Sequence, residues 1–242
     1  MNKKILLCQG GLGDHLSLST LPEEFTKKGY EVYLSVYNIH RNSEIYDLVW
    51  GINPFIKGFS NESANCGHVF NINYDNDNFI TCIENSNNIY DTGNLIPKLY
   101  RSHNLIEELR DKTILNLESI TANYTEVEVI EKVNRIILEN NINKEDILVI
   151  KSIKNNNVNG NSFLVKKDIK LIETEYPVYY INDIYHYCDI LNSCKNYITL
   201  HSGGASLAAT IRNNNTWVIM NESLRESMFK KSFIYNNQNY IF

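Results

Sequence analysis

The first apolar run, Ile5-Leu6-Leu7, stops abruptly at Gly10-Gly11-Leu12-Gly13. Lys3 to Cys8 reads as a buried strand. After the glycines, Leu16, Leu18, Leu21 and Phe25 recur at helical spacing, predicting one helix over 16–25 with Gly29 closing it behind Lys27-Lys28. Glu31 to Tyr37 is partly β-branched and aromatic and predicts the next strand. A strand, helix and strand of this length demand parallel pairing. Asn42 to Val49 predicts a short helix, and Asn53 to Lys57 a turn and short strand. Asn61 to Asn94 is Asn- and Asp-rich and reads as irregular, with one or two strands. Leu95 to Leu109 has helical spacing and carries Lys98, Arg101 and His103. Ile114 to Leu117 is another strand or the tail of that helix.

The clearest helix runs from Val127 to Asn140, with Val129, Ile130, Val133, Ile136 and Ile137 on one stripe. Strands are predicted at Ile147–Ile150, Phe163–Val165, Val178–Ile181, Tyr197–Leu200 and Trp217–Met220. Helices are predicted at Ile184–Leu191 and Ala205–Ile211. The tail from Glu222 is mixed. Alternation of strand and helix from end to end argues an α/β fold with parallel sheets. The polar stretch Ser119 to Thr125 interrupts the pattern. It sets the expected boundary between an N-terminal lobe, 1–120, and a C-terminal lobe, 121–242.

Composition narrows the function classes. With 242 residues, 43% of them hydrophobic, the chain can fill one large or two small cores. A formal net charge of −5 provides no basic field, so binding of nucleic acid by bulk charge is not expected. The five cysteines are scattered without a CxxC pair, which fits reduced thiols rather than a disulfide framework or zinc ribbon. No transmembrane segment and no signal peptide are expected. The scattered histidines show no metal-ligand spacing. Asp75-Asn76-Asp77-Asn78 lacks the glycine and glutamate an EF-hand loop needs. Lys166-Lys167 and Lys230-Lys231 read as surface pairs.

Two glycine turns remain as candidate chemistry. Each follows an apolar strand and opens a helix, and together they suggest one cleft between two lobes. At the first, Gly11 and Gly13 allow a ligand close to the backbone. The spacing fits neither a dinucleotide fingerprint nor a P-loop. Asp14 either caps the following helix or acts as a general base at the carboxyl edge of the sheet. His15 is either a catalytic group or a polar residue with a hydrogen-bond partner. The second turn is His201-Ser202-Gly203-Gly204-Ala205-Ser206. There the backbone amides open a helix that can face an anion, and Ser202 and Ser206 add hydroxyls. The alternative is a tight turn that needs small residues for packing. Ser202 lacks the surroundings of a hydrolase nucleophile.

Taken together, the turns resemble the ADP-heptose:lipopolysaccharide heptosyltransferases and, more broadly, the two-lobed GT-B glycosyltransferases. The first match is Gly11-Leu12-Gly13-Asp14, then Leu18-Ser19-Thr20-Leu21-Pro22 and Lys27 to Val32. The second runs from Cys188-Asp189-Ile190-Leu191 through Tyr197 to Ala209. The resemblance implies two Rossmann-like lobes with parallel sheets, the second trimmed. It implies Asp14 as the base that activates an acceptor hydroxyl, with Gly11, Gly13 and His15 beside the acceptor. It implies a nucleotide-sugar donor against His201, Ser202, Gly203, Gly204 and Ser206. No metal and no cofactor enter this scheme. The acceptor would be a glycan or a lipid-linked molecule. The location would be cytoplasmic, or peripheral at the inner membrane. Two side chains depart from the family pattern: His201 stands where it has Asp, and Ser206 where it has His. A nucleotide-sugar hydrolase or epimerase, a non-catalytic nucleotide- or sugar-binding protein, and a structural or assembly protein on the same scaffold stay open beside the transferase.

Overall fold

A computed structural model describes residues 2–19, 21–40, 43–62, 79–80, 104–117, 124–152, 175–211, 215–222, 235 and 237–242. The chain divides into two units, Met1–Tyr100 with Lys231–Tyr235, and Arg101–Lys230 with Asn236–Phe242. The expected strand Phe163–Val165 lies outside the described residues. So do Lys98, Arg101, His103, Lys166-Lys167 and Lys230-Lys231.

The first unit is built on a four-stranded parallel sheet. Its strands are β1 (Asn2–Leu6), β3 (Tyr30–Ser35), β5 (Ile56–Ser60) and β6 (Phe79–Ile80), in the order β5-β3-β1-β6. β1 pairs in register with β3, Ile5 opposite Tyr33 and Leu6 opposite Leu34. A two-stranded parallel ladder joins β2 (Gln9–Gly10) to β4 (Ile39–His40), so the backbone of the glycine turn is itself paired. The helix predicted over 16–25 is two helices, α1 (Leu12–Leu18) and α2 (Leu21–Lys27). Ser19 makes the break. Its backbone N–H and its hydroxyl both donate to the Leu16 carbonyl, at 3.1 and 2.5 Å, and Pro22 sits in the first turn of α2, where a missing N–H costs nothing. Gly29 ends α2 at φ +85. α3 (Ser43–Val49) follows, and Ile45, Leu48, Val49 and Trp50 are buried with Ile5, Leu6, Leu16, Leu18 and Leu34.

The second unit carries six parallel strands in the order β12-β11-β10-β7-β8-β9 among the described residues. They are β7 (Thr113–Asn116), β8 (Ile147–Ser152), β9 (Val178–Ile181), β10 (Asn196–Leu200), β11 (Thr216–Ile219) and β12 (Asn239–Ile241). β7 was expected ahead of the lobe boundary, in 1–120. It lies instead inside this sheet, between β10 and β8. Of the polar stretch 119–125, only Tyr124 and Thr125 are described, directly ahead of the next helix. Residues 107–109, expected at the end of a long helix, form a single 3-10 turn, and 104–106 have no regular secondary structure.

α4 (Glu126–Glu139) covers one face of the sheet. Leu115, Ile198, Leu200 and Ile219 pack there with Val129, Val133, Ile136 and Ile137 of its stripe. The helix starts in a capping box. The Thr125 hydroxyl accepts from the Glu128 N–H, while a Glu128 carboxylate oxygen accepts from the Thr125 N–H. α5 (Ile184–Ser193), capped by Asp183, and α6 (Gly203–Ile211) pack against each other, and both bury apolar residues. No described helix is long and apolar enough to cross a membrane.

Gly29 gives a clean test of backbone conformation. A Cβ there would meet nothing within 4 Å, so space is not the constraint. Gly29→Ala is expected to lower stability by about 1 kcal/mol, read by urea unfolding, from the cost of a left-handed residue with a side chain. Gly29→Asn should lose less. Equal stability of Gly29→Ala and the wild type would contradict this account.

Candidate functional site

Parallel strands must return across a face of the sheet, and the direction of winding decides where a crevice opens. In the second unit the chain runs outward from β7 to β8 and β9. It then returns to the other side of β7 and runs outward again through β10, β11 and β12. Winding reverses between β7 and β10. The carboxyl ends of those strands are Asn116 and Leu200, and His201-Ser202-Gly203-Gly204 follows Leu200 directly. The second glycine turn therefore stands at the switch point of its sheet. In the first unit β3 and β5 lie on one side of β1 and β6 on the other. The first glycine turn follows β1, at the switch point of that sheet.

The second turn is shaped by what lies beneath it. Register places Asn116 opposite Thr199, and Tyr197 falls two residues back on the same face. The Asn116 side-chain amide donates to the Tyr187 hydroxyl at 2.5 Å and to the Tyr197 hydroxyl at 3.0 Å. The two phenols are also bonded to each other. A Cβ on Gly204 would lie 2.5 Å from Tyr187 Oη, and 3.0 Å from both Asn116 Nδ2 and Tyr197 Oη. Only glycine lets the first turn of α6 settle on this network. The packing role weighed for the turn is therefore real at Gly204. His201, Ser202, Gly203 and Gly204 are half-exposed, while Ala205 to Thr210 are buried. Ser202 Oγ accepts from the Gly204 N–H at 3.2 Å, and the Ser202 carbonyl accepts from the Ser206 N–H. Ser206 is 2% exposed.

Tyr124, just ahead of α4, was not singled out in the sequence, and nothing in its local pattern marks it. Its buried hydroxyl donates to the Ile219 carbonyl at 3.3 Å, and that carbonyl also accepts from the His201 N–H at 3.0 Å. The carbonyl at the end of β11 thus takes both Tyr124 and the first residue of the turn. Burial pushes the Tyr124 phenol up to about 12, and the nearby backbone N–H groups of Asn221 and His201 pull part of that back. Burial likewise raises Tyr197 to about 12.

In the first unit Asp14 is half-exposed in the first turn of α1, and its Oδ2 accepts from the Gly11 N–H at 2.6 Å. The capping role is thus present. It holds the carboxylate in one orientation without burying it. His15 is fully buried, and its Nδ1 accepts from the Trp50 indole N–H at 2.9 Å. A neutral imidazole so placed carries its proton on Nε2. The hydrogen-bond partner weighed for His15 is present, and the bond braces α1 against the residue that follows α3. Trp50 sits 35 residues away, and no sequence spacing links the two.

No family model matches the chain, and no curated protein matches it. Solved structures do. The iron-containing dodecameric glycosyltransferase TibC of enterotoxigenic E. coli H10407 superposes with a TM-score of 0.59 at 15% identity, over 100% of this chain and 66% of its own. The glycosyl transferase family 9 protein of Veillonella parvula DSM 2008 gives 0.53 at 8% identity, over 99% and 85%. The fold is that of the GT-B glycosyltransferases. E. coli heptosyltransferase WaaC, solved with ADP, gives 0.50 at 8% identity, over 98% and 92%. At these identities the likeness is one of fold. The chain spans just under two thirds of TibC.

Two predictions follow from the buried network. Gly204→Ala is expected to cost about 1–3 kcal/mol of stability, as overpacking does. Adding Tyr187→Phe, which removes the hydroxyl nearest the new methyl, should recover part of that loss in a double-mutant cycle. Additive effects would show that Tyr187 is not the obstacle. The phenols also predict a pH dependence. Tyr124 and Tyr197 are held neutral, with folded values of about 12 above the ordinary 10.0. Their contribution is complete below pH 10 and is lost as pH rises through about 12. Urea midpoints of the wild type should fall across that window, and those of Tyr197→Phe should fall less.

Proposed function

We propose that this chain is a glycosyltransferase that moves a sugar from a nucleotide-sugar to a hydroxyl of a glycan or other acceptor. The observation that carries the reading is the place of the second glycine turn. It opens α6 at the switch point between β7 and β10, with its first residues half-exposed, in a chain with the glycosyltransferase fold.

In this reading Ser202, Gly203 and Gly204 lie against the diphosphate of the donor. The first-turn amides and the positive end of the helix stabilise the charge that develops there. His201 stands where the family has an acid, so it contacts the donor as a neutral or cationic group. Gly11, half-exposed, would lie beside the acceptor near Asp14, with the buried Gly13 behind it. The Asp14 carboxylate takes the proton of the acceptor hydroxyl as that oxygen bonds to the anomeric carbon. The bond from that carbon to the diphosphate oxygen breaks, and the diphosphate leaves with the electron pair. Gly11 N–H fixes the carboxylate for this role, and the His15–Trp50 bond fixes the helix that carries it. The burial of Ser206 favours one alternative, a protein that binds the nucleotide-sugar without transferring it, because a residue expected at the donor is only 2% exposed.

The test begins with thermal shift against nucleoside diphosphates and nucleotide-sugars, ADP first. Ligand at about 100 times its Kd should add about 2.7 kcal/mol, a rise of several degrees. With a turned-over donor in hand, Asp14→Asn is decisive. Asparagine can still accept from Gly11 N–H but cannot take a proton. Turnover should fall by about 10²–10⁴ with nucleotide affinity kept. Turnover at the wild-type rate would overturn the base assignment, and binding without turnover in the wild type would favour the alternative.

A further inference from the structure

α6 poses a mechanical problem. Its sequence, Gly203-Gly204-Ala205-Ser206-Leu207-Ala208-Ala209-Thr210-Ile211, offers few side chains long enough to anchor it. Short residues let it lie close to the sheet, and they give it few side-chain hydrogen bonds of its own. The tail of the chain supplies the missing ties. Gln238 is buried, 9% exposed, and its Nε2 donates to the Ala205 carbonyl at 2.7 Å. Its Oε1 accepts from the Tyr240 hydroxyl at 3.0 Å, which fixes the amide the right way round. Asn237 Nδ2 donates to the Ala209 carbonyl at 2.8 Å. Ala205 and Ala209 are one turn apart on one face of the helix. The tail is itself held because β12 pairs with β11, and the Met220 N–H donates to the Ile241 carbonyl.

We infer that Gln238 is a positioning residue for the donor site, holding the first turn of α6 where its amides meet the donor's diphosphate. The inference rests on the donor reading of the His201–Ser206 turn. Gln238 does not touch the donor. It acts through the Ala205 carbonyl, one residue beyond Gly204. A lost hydrogen bond of ordinary net size corresponds to roughly a 3- to 10-fold weaker affinity if it is spent on placing the amides.

The experiment measures ADP affinity by calorimetry, then donor KM and kcat, for the wild type, Gln238→Glu and Gln238→Leu. Gln238→Glu keeps length and the acceptor for Tyr240 but loses the donor to Ala205, so it carries the test if Gln238→Leu does not fold. The expected result is a Kd for ADP and a donor KM raised about 3- to 10-fold, with kcat within about twofold. Tyr240→Phe, which frees the amide without removing it, should give a smaller rise of the same kind. Wild-type affinity in Gln238→Glu would overturn the role of Gln238 alone. A fall in kcat and melting temperature with KM unchanged would also overturn it, because that is the signature of a merely structural tie. Wild-type protein that binds ADP and other nucleoside diphosphates not at all would overturn the donor reading beneath it.

Discussion

The close seat of α6 on the sheet is the constraint from which the second unit follows. Gly204 lies against three polar atoms, Tyr187 Oη, Tyr197 Oη and Asn116 Nδ2, with no room for a methyl group. Those atoms satisfy one another, so a polar cluster can stand inside an otherwise apolar interior. Because the cluster joins β7, β10 and α5, it ties together the two strands at which winding reverses. The turn above it is half-exposed, and the helix that it opens is buried from Ala205 to Thr210.

The same economy recurs in the first unit, described by itself. A buried imidazole accepts from a buried indole, and a half-exposed carboxylate accepts from a glycine amide one turn away. In both units a residue of the candidate site is held by a buried side chain or a backbone group. Asp14 and the Ser202–Gly204 turn present polar groups outward, whereas His15, Tyr124, Tyr197 and Gln238 hold them from within. His15 and Ser206, both in the motifs, are buried where Asp14 and Ser202 are half-exposed.

Much of the architecture was legible along the chain. The stripe on 126–139 and the alternation of strands and helices follow from periodicity, because burying one face of a helix or both faces of a parallel strand leaves a direct imprint on residue order. Gly29 as a helix stop was legible for the same local reason. The break at Ser19 was not, because the apolar spacing runs straight through it and a hydroxyl bonded to Leu16 decides it. The tail was not, because three residues of strand make too short a pattern. The membership of β7 was not, because four buried residues fit either sheet equally.

What the sequence determined by itself is local: which segments are strand or helix, where glycines permit a turn, and that Asp14 and the Ser202–Gly204 run follow strands. These depend on neighbours within a few residues. What only the tertiary structure decided is which of those groups face outward and what holds them. His15 meets Trp50 across 35 residues, Asn116 meets Tyr197 across 81, and Gln238 meets Ala205 across 33. Strand order and register bring such pairs together, and no spacing along the chain encodes a contact made by the packing of separate elements.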